Sequence, residues 1–129
     1  MAPVFDAVLF NKKAEKKVLA LSLSEGEGIL SAIKEGMQLH KVKEATVVEV
    51  RGKIKEGEMS FMERSKYKTM RLKDTAIFRA SGSFKQNFDD LWGSMHISIN
   101  PRNPTTGTLV KGKAAEGMEI KLAFFEDAK

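Results

Sequence analysis

Apolar and polar residues alternate with a period of two over most of this chain and switch once to a helical period. The stretch Val18–Ser24, "VLALSLS", places Leu19, Leu21 and Leu23 on one side and Val18, Ala20 and Ser22 on the other, which predicts a strand with one buried face. Immediately afterwards Ile29, Leu30, Ile33 and Met37 recur at helical spacing, predicting an amphipathic helix over Glu25–Leu39. Ser24 and Glu27 stand at capping-box spacing ahead of it. Gly26, Gly28 and Gly36 lower the intrinsic stability of this helix, so packing against a sheet has to hold it. His40 falls at its end, where a cation suits the negative pole of the helix.

Downstream the period of two returns. "ATVVEVRGKI", Ala45–Ile54, reads as a strand broken at Gly52, and "SFMERSKYKTMRL" as one or two more. "TAIFRASGSF" gives another, with "SGS" permitting a bulge or bend. "MHISIN" alternates Met95, Ile97 and Ile99 against His96, Ser98 and Asn100. A turn-rich loop, "PRNPTTGT", precedes the strands "GTLVKG" and "MEIKLAFF". Upstream of all these, Pro3–Phe10 reads as a short strand followed by a polar hinge, "NKKAEKK". One helix near the N-terminus and many strands after it predict an α+β domain with a mostly antiparallel sheet. At 129 residues the chain suits one domain, 1–129, with residues 1–14 as an extension of strand and hinge.

Composition narrows the function classes. With 42% hydrophobic and 30% charged residues the chain belongs with folded globular proteins. The lack of cysteine excludes disulfides, thiolate metal sites and a cysteine nucleophile. No apolar run is long enough to span a bilayer, and the N-terminal charges follow the apolar part, the reverse of a secretory signal; a cytoplasmic protein without membrane contact is expected. The net charge of +5 is uneven: Arg51–Lys85 carries 10 Lys/Arg against 4 Asp/Glu, and the rest of the chain is close to neutral. Such a block suits phosphate, but a lysine-rich solvated strand face that resists edge pairing accounts for it equally well and is the preferred reading. The seven methionines read as core filler.

The ordered set of elements resembles a known family. "VLALSLSEGEGILSAIKEGMQLHKVKEATVVEVRGKI", "TAIFRASGSF" with its Ser81-Gly82 turn, and "SMHISI" followed by "GTLVKGK" are similar to the plants-and-prokaryotes conserved (PPC) domain, over about Lys17 to Phe125. The resemblance implies a barrel-like sheet, a fold related to acetolactate decarboxylase, and assembly as a homotrimer. Stand-alone members are often labelled DNA-binding by association with plant proteins, whose AT-hook enters the minor groove. Arg51-Gly52-Lys53 here is not an AT-hook, because the Arg-Gly-Arg-Pro core is missing. Metal-binding relatives carry His-x-His on the histidine strand and Gly-Gly-His on the return. This chain has Ser94-Met95-His96 and Lys111-Gly112-Lys113 instead.

Those departures set the candidate sites. One imidazole, one hydroxyl and one ammonium do not make a zinc site, so no metal and no cofactor is expected. Ser94, His96 and Lys113 are donors suited to an acidic ligand, which makes an anion pocket the candidate there; the competing expectation is a His96 that simply packs and hydrogen-bonds. Arg64, Lys66 and Lys68 share one side of a strand and are the candidate nucleic-acid contacts, with Tyr67 on the opposite side. That separation denies them a stacking platform for single strands and predicts weak, non-specific DNA binding at most. Trp92 is a candidate subunit-interface anchor. No residues form a nucleophile–base–carboxylate pattern, so no catalytic residue is assigned and an enzyme is not favoured. Taken with the residues present, the resemblance implies a homotrimeric binding or scaffolding module with DNA or protein partners, the alternative being a small-molecule site or metal-free enzyme with a pocket at a subunit interface around His96.

Overall fold

The computed structural model describes residues 14–87 and 90–127. In chain order the elements are β1 (Ala14–Leu23), α1 (Ile29–Leu39), β2 (Glu44–Arg51), β3 (Lys53–Glu63), β4 (Lys66–Ala76), β5 (Arg79–Asn87), β6 (Asp90–Ile99), β7 (Thr105–Ala114) and β8 (Met118–Asp127). The strands form one antiparallel sheet in the order β1-β8-β2-β5-β6-β7-β3-β4, curled into a half-barrel. The α+β, mostly antiparallel architecture expected from the sequence is present. The predicted strand at Pro3–Phe10 lies outside the described residues.

Alternation explains the core. Leu19 and Leu23 turn inward from β1, while Val18 on the opposite face is 55% exposed. Met95, Ile97 and Ile99 turn inward from β6, Ile120 and Leu122 from β8, and all five are buried. Helix α1 lies across this concave face and fills it with Ile29, Ala32, Ile33 and Met37. Met37, Met59, Met95 and Met118 are fully enclosed, so methionine does serve as core filler.

Three local readings change. The helix begins at Ile29, not Glu25, because the backbone ahead of it is taken by the sheet: Gly26 N–H donates to the Ala114 carbonyl at 2.8 Å and Ala114 N–H donates to the Glu27 carbonyl at 2.8 Å. Only half of the capping box forms, the Glu27 carboxylate accepting from Ser24 N–H at 3.0 Å, and the N-cap is Gly28. Second, Ala14–Lys17 of the supposed hinge belong to β1, in register with Phe124–Asp127 of β8. Third, the strand read across Gly52 is two strands in separate parts of the sheet: β2 pairs with β8 and β5, whereas β3 pairs with β4 and β7. His40 occupies the C-cap as expected, its N–H bonded to the Gly36 carbonyl at 3.1 Å.

Charged residues occupy the outer face at the sheet's ends. Glu49 accepts from Arg51 Nε at 2.9 Å and lies 3.3 Å from Lys121 Nζ, and these two cations hold its carboxyl below the usual carboxylate range. The stability this adds is present above the unfolded carboxyl value and is lost as pH falls through the lowered folded one. At such exposure it is a small contribution that salt weakens.

Candidate functional site

The outer, convex face of the sheet has no helix over it among the described residues, and its middle is built of hydroxyls. Because Met95, Ile97 and Ile99 face the core, Trp92, Ser94 and His96 of β6 turn to the opposite side, as does Ser98, which is itself buried. The register places Ser81 of β5 and Thr108 of β7 on either side of His96, then Ser60 of β3 beside Thr108, and Thr69 of β4 beside Ser60. One row therefore runs Ser81, His96, Thr108, Ser60, Thr69 across five strands without a charged aliphatic side chain. Thr108 Oγ1 and His96 Nδ1 are hydrogen-bonded at 3.0 Å, which fixes the ring, and Ser98 and Thr106 share a 2.7 Å hydroxyl bond in the next row. His96 itself is exposed, not packed away. Met62 and Tyr67, cross-strand partners at the β3–β4 end of this face, are 59% and 78% exposed.

Of the three residues grouped as an anion pocket, the fold brings two together. Ser94 and His96 share the outer face of β6, opposite Ser83 and Ser81. Lys113 lies five residues along β7 from Thr108, about 16 Å at strand rise. It pairs there with Glu56 at 3.4 Å. Within one chain it does not reach His96. Arg64 sits in the β3–β4 turn, with Lys66 and Lys68 on one face of β4 at the tip of the same hairpin. Lys68 is tied to Glu63 at 3.5 Å, which trims the free charge of this group.

The donor set around His96 does not fit a divalent metal. One imidazole with serine and threonine hydroxyls lacks the carboxylate or additional imidazole ligands that such an ion requires. Among the described residues no group of three or more His, Asp or Glu side chains converges to hold one. Alternation placed His96 on the polar side of its strand, and the family resemblance singled out Ser94 beside it. Neither pointed to Ser60, Thr69 and Thr108, whose position beside His96 depends on strand order and register, which no local pattern encodes.

An eight-stranded half-barrel with one helix across its concave face, and a histidine among hydroxyls on the other, defines a small single-sheet α+β class. The chain belongs to the Plants and Prokaryotes Conserved (PCC) domain family, whose profile matches residues 10–126. Solved structures share the fold at low identity. A plant- and prokaryote-conserved (PPC) protein from Pyrococcus horikoshii superposes with a TM-score of 0.69 and 21% identity, covering 88% of this chain and 81% of its own. A metal-containing protein from Archaeoglobus fulgidus gives 0.71 at 15% identity, covering 86% and 81%. A candidate DNA-binding protein from Ralstonia eutropha gives 0.62 at 13%, covering 94% and 85%. No curated protein matches the chain. Among the described residues no helix is long and apolar enough to cross a membrane.

Proposed function

We propose that this chain is a self-associating binding module, a homotrimer whose subunits meet over the outer face around His96, with weak, non-specific contact to DNA through Arg64, Lys66 and Lys68. The observation that carries it is the row Ser81–His96–Thr108–Ser60–Thr69, which holds no lysine, arginine or carboxylate and is flanked by exposed Met62 and Tyr67. A solvated strand face normally alternates lysine and glutamate, as this sheet does farther along with Arg71, Glu58 and Lys111. Interface cores instead shed charge and gather aromatic residues and methionine. Ser94 and His96 then line the junction between copies, where donors from a neighbour can complete a polar contact. The three-fold assembly follows from family resemblance, as does the DNA contact, which the candidate DNA-binding neighbour also suggests.

Sedimentation equilibrium tests the assembly. The expected species has three times the 14.4 kDa chain mass, and Thr108→Arg should shift it toward single chains by forcing a guanidinium into the row. A wild-type protein that sediments as one chain overturns the reading. For DNA, the combined change Arg64→Ala, Lys66→Ala and Lys68→Ala should reduce the salt slope of duplex binding by about 3, roughly one unit per phosphate contact removed. Sequence-selective binding that persists at physiological salt would contradict it.

A further inference from the structure

At one end of the sheet the fold gathers cations and exposed aromatic rings into a single groove of about 1660 Å³. Its lining takes Lys16 from β1, Lys41 and Lys43 from the link after α1, Lys85 from β5, Trp92 from β6 and Phe125 from β8. Register explains the mixture. Phe125 is the cross-strand partner of Lys16, and Trp92 is the partner of Lys85, so each ring lies beside an ammonium, with Glu44 of β2 on the strand between the two pairs. Trp92 is 60% and Phe125 73% exposed. Glu44 is the one acidic residue among the described lining residues and is engaged by Lys85 at 3.5 Å. Lys16, Lys41 and Lys43 make no ion pair among the described residues. Gln86 N–H donates to the Lys43 carbonyl at 2.7 Å, which fastens the lysine-bearing link to β5 and fixes this side of the groove.

We propose that this groove binds single-stranded nucleic acid, with bases stacking on Trp92 and Phe125 and phosphates meeting Lys16, Lys41, Lys43 and Lys85. Flat rings and cations on one surface are what an unpaired strand requires, since every base offers a π-face and every linkage a negative charge. A duplex keeps its bases stacked internally and cannot use the rings. Besides the Lys85–Glu44 pair, a second protein copy would have to bury three ammonium groups that make no ion pair among the described residues, a residue type depleted from interface cores. This surface goes beyond the module proposed above: it lies at the other end of the β5–β6 ladder from the β3–β4 hairpin, and it requires neither the trimer nor the Arg64 group.

Fluorescence provides the test, because Trp92 is the sole tryptophan of the chain. An oligothymidylate of about twelve nucleotides should quench it, with labelled-oligonucleotide anisotropy giving the affinity. Trp92→Ala and Phe125→Ala should each weaken binding roughly tenfold, with Trp92→Phe retaining most of it. Lys16→Ala with Lys43→Ala should lower the salt slope by about 1.4. The Arg64, Lys66 and Lys68 triple variant should leave single-strand binding intact, and Trp92→Ala should leave duplex binding intact, so the two readings fail separately. Equal affinity for duplex and single strand, or no loss on removing both rings, overturns the proposal. So does a Trp92 emission that follows protein concentration alone, which would place a second copy in the groove, or one that answers only to anionic lipid vesicles.

Discussion

Gly82→Ala should lower the stability of this domain by about 3 kcal/mol or more, and Gly93→Ala by a similar amount. The two glycines sit diagonally across the β5–β6 ladder, Gly82 opposite Met95 and Gly93 opposite Phe84. Their φ angles are +138° and +115°, where a side chain is strained in any surroundings. Space is missing as well. A Cβ on Gly82 would lie 2.2 Å from the Ser94 carbonyl oxygen, and one on Gly93 2.1 Å from that of Ser83. Both obstacles are backbone in a hydrogen-bonded ladder, so neither can swing aside as a flexible side chain would. Gly117 separates the two causes, having a φ of +82° but nothing within 4 Å of a new Cβ. Its alanine variant should lose only about 1 kcal/mol. Urea midpoints for the three variants decide the matter, and a Gly82→Ala loss no larger than that of Gly117→Ala would refute the steric account.

Ile33→Ala should cost about 3 kcal/mol, within the range for a large aliphatic side chain removed from a closed core. Ile33 is fully buried at the middle of the inward face of α1, between Ile29 and Met37. The helix has 11 residues, no side-chain N-cap and no acidic residue in its first turn, so its own tendency to form is weak. Packing against the sheet holds it there. Loss of the sec-butyl group leaves a cavity between helix and sheet, and amide exchange should accelerate in α1 more than in β8. Met37→Leu, which nearly conserves volume, should cost less than about 1.5 kcal/mol. Comparable losses from both changes would show that filling this space is not what holds the helix.

Much of this arrangement is visible in the one-dimensional pattern, and the exceptions have identifiable causes. Leu19, Leu23, Met95, Ile97 and Ile99 fall on the buried side because a pleated strand sorts alternate residues whatever its neighbours are. The same sorting turns Ser94 and His96 outward. The start of α1 departs from the helical pattern because Gly26 and Glu27 find sheet partners on β7, a competitor remote in sequence. The β3–β4 hairpin gave no turn signal, since Arg64 and Ser65 adopt positive φ angles of 51° and 66° that are normally marked by asparagine or glycine. Lys113 is grouped with His96 by the family pattern. Its actual place depends on β7 register, where an irregularity between Glu58 and Met59 of β3 shifts the pairing. The aromatic–lysine groove has no one-dimensional signature, because Lys85 and Trp92 stand on different strands and meet only across the β5–β6 ladder.

The position of β1 also governs when the domain can form. Among the described residues its one partner strand is β8, with Leu23 opposite Met118 and Lys16 opposite Phe125. A ribosome therefore releases Leu19, Leu21 and Leu23 long before the strand that completes their sheet exists, and α1 emerges with only part of the surface it covers. Ladders this distant in sequence make folding slow relative to local pairing. During synthesis the waiting β1 edge is an open invitation to the same strand of another nascent chain, so faster production should favour mispaired, aggregated protein over the native sheet.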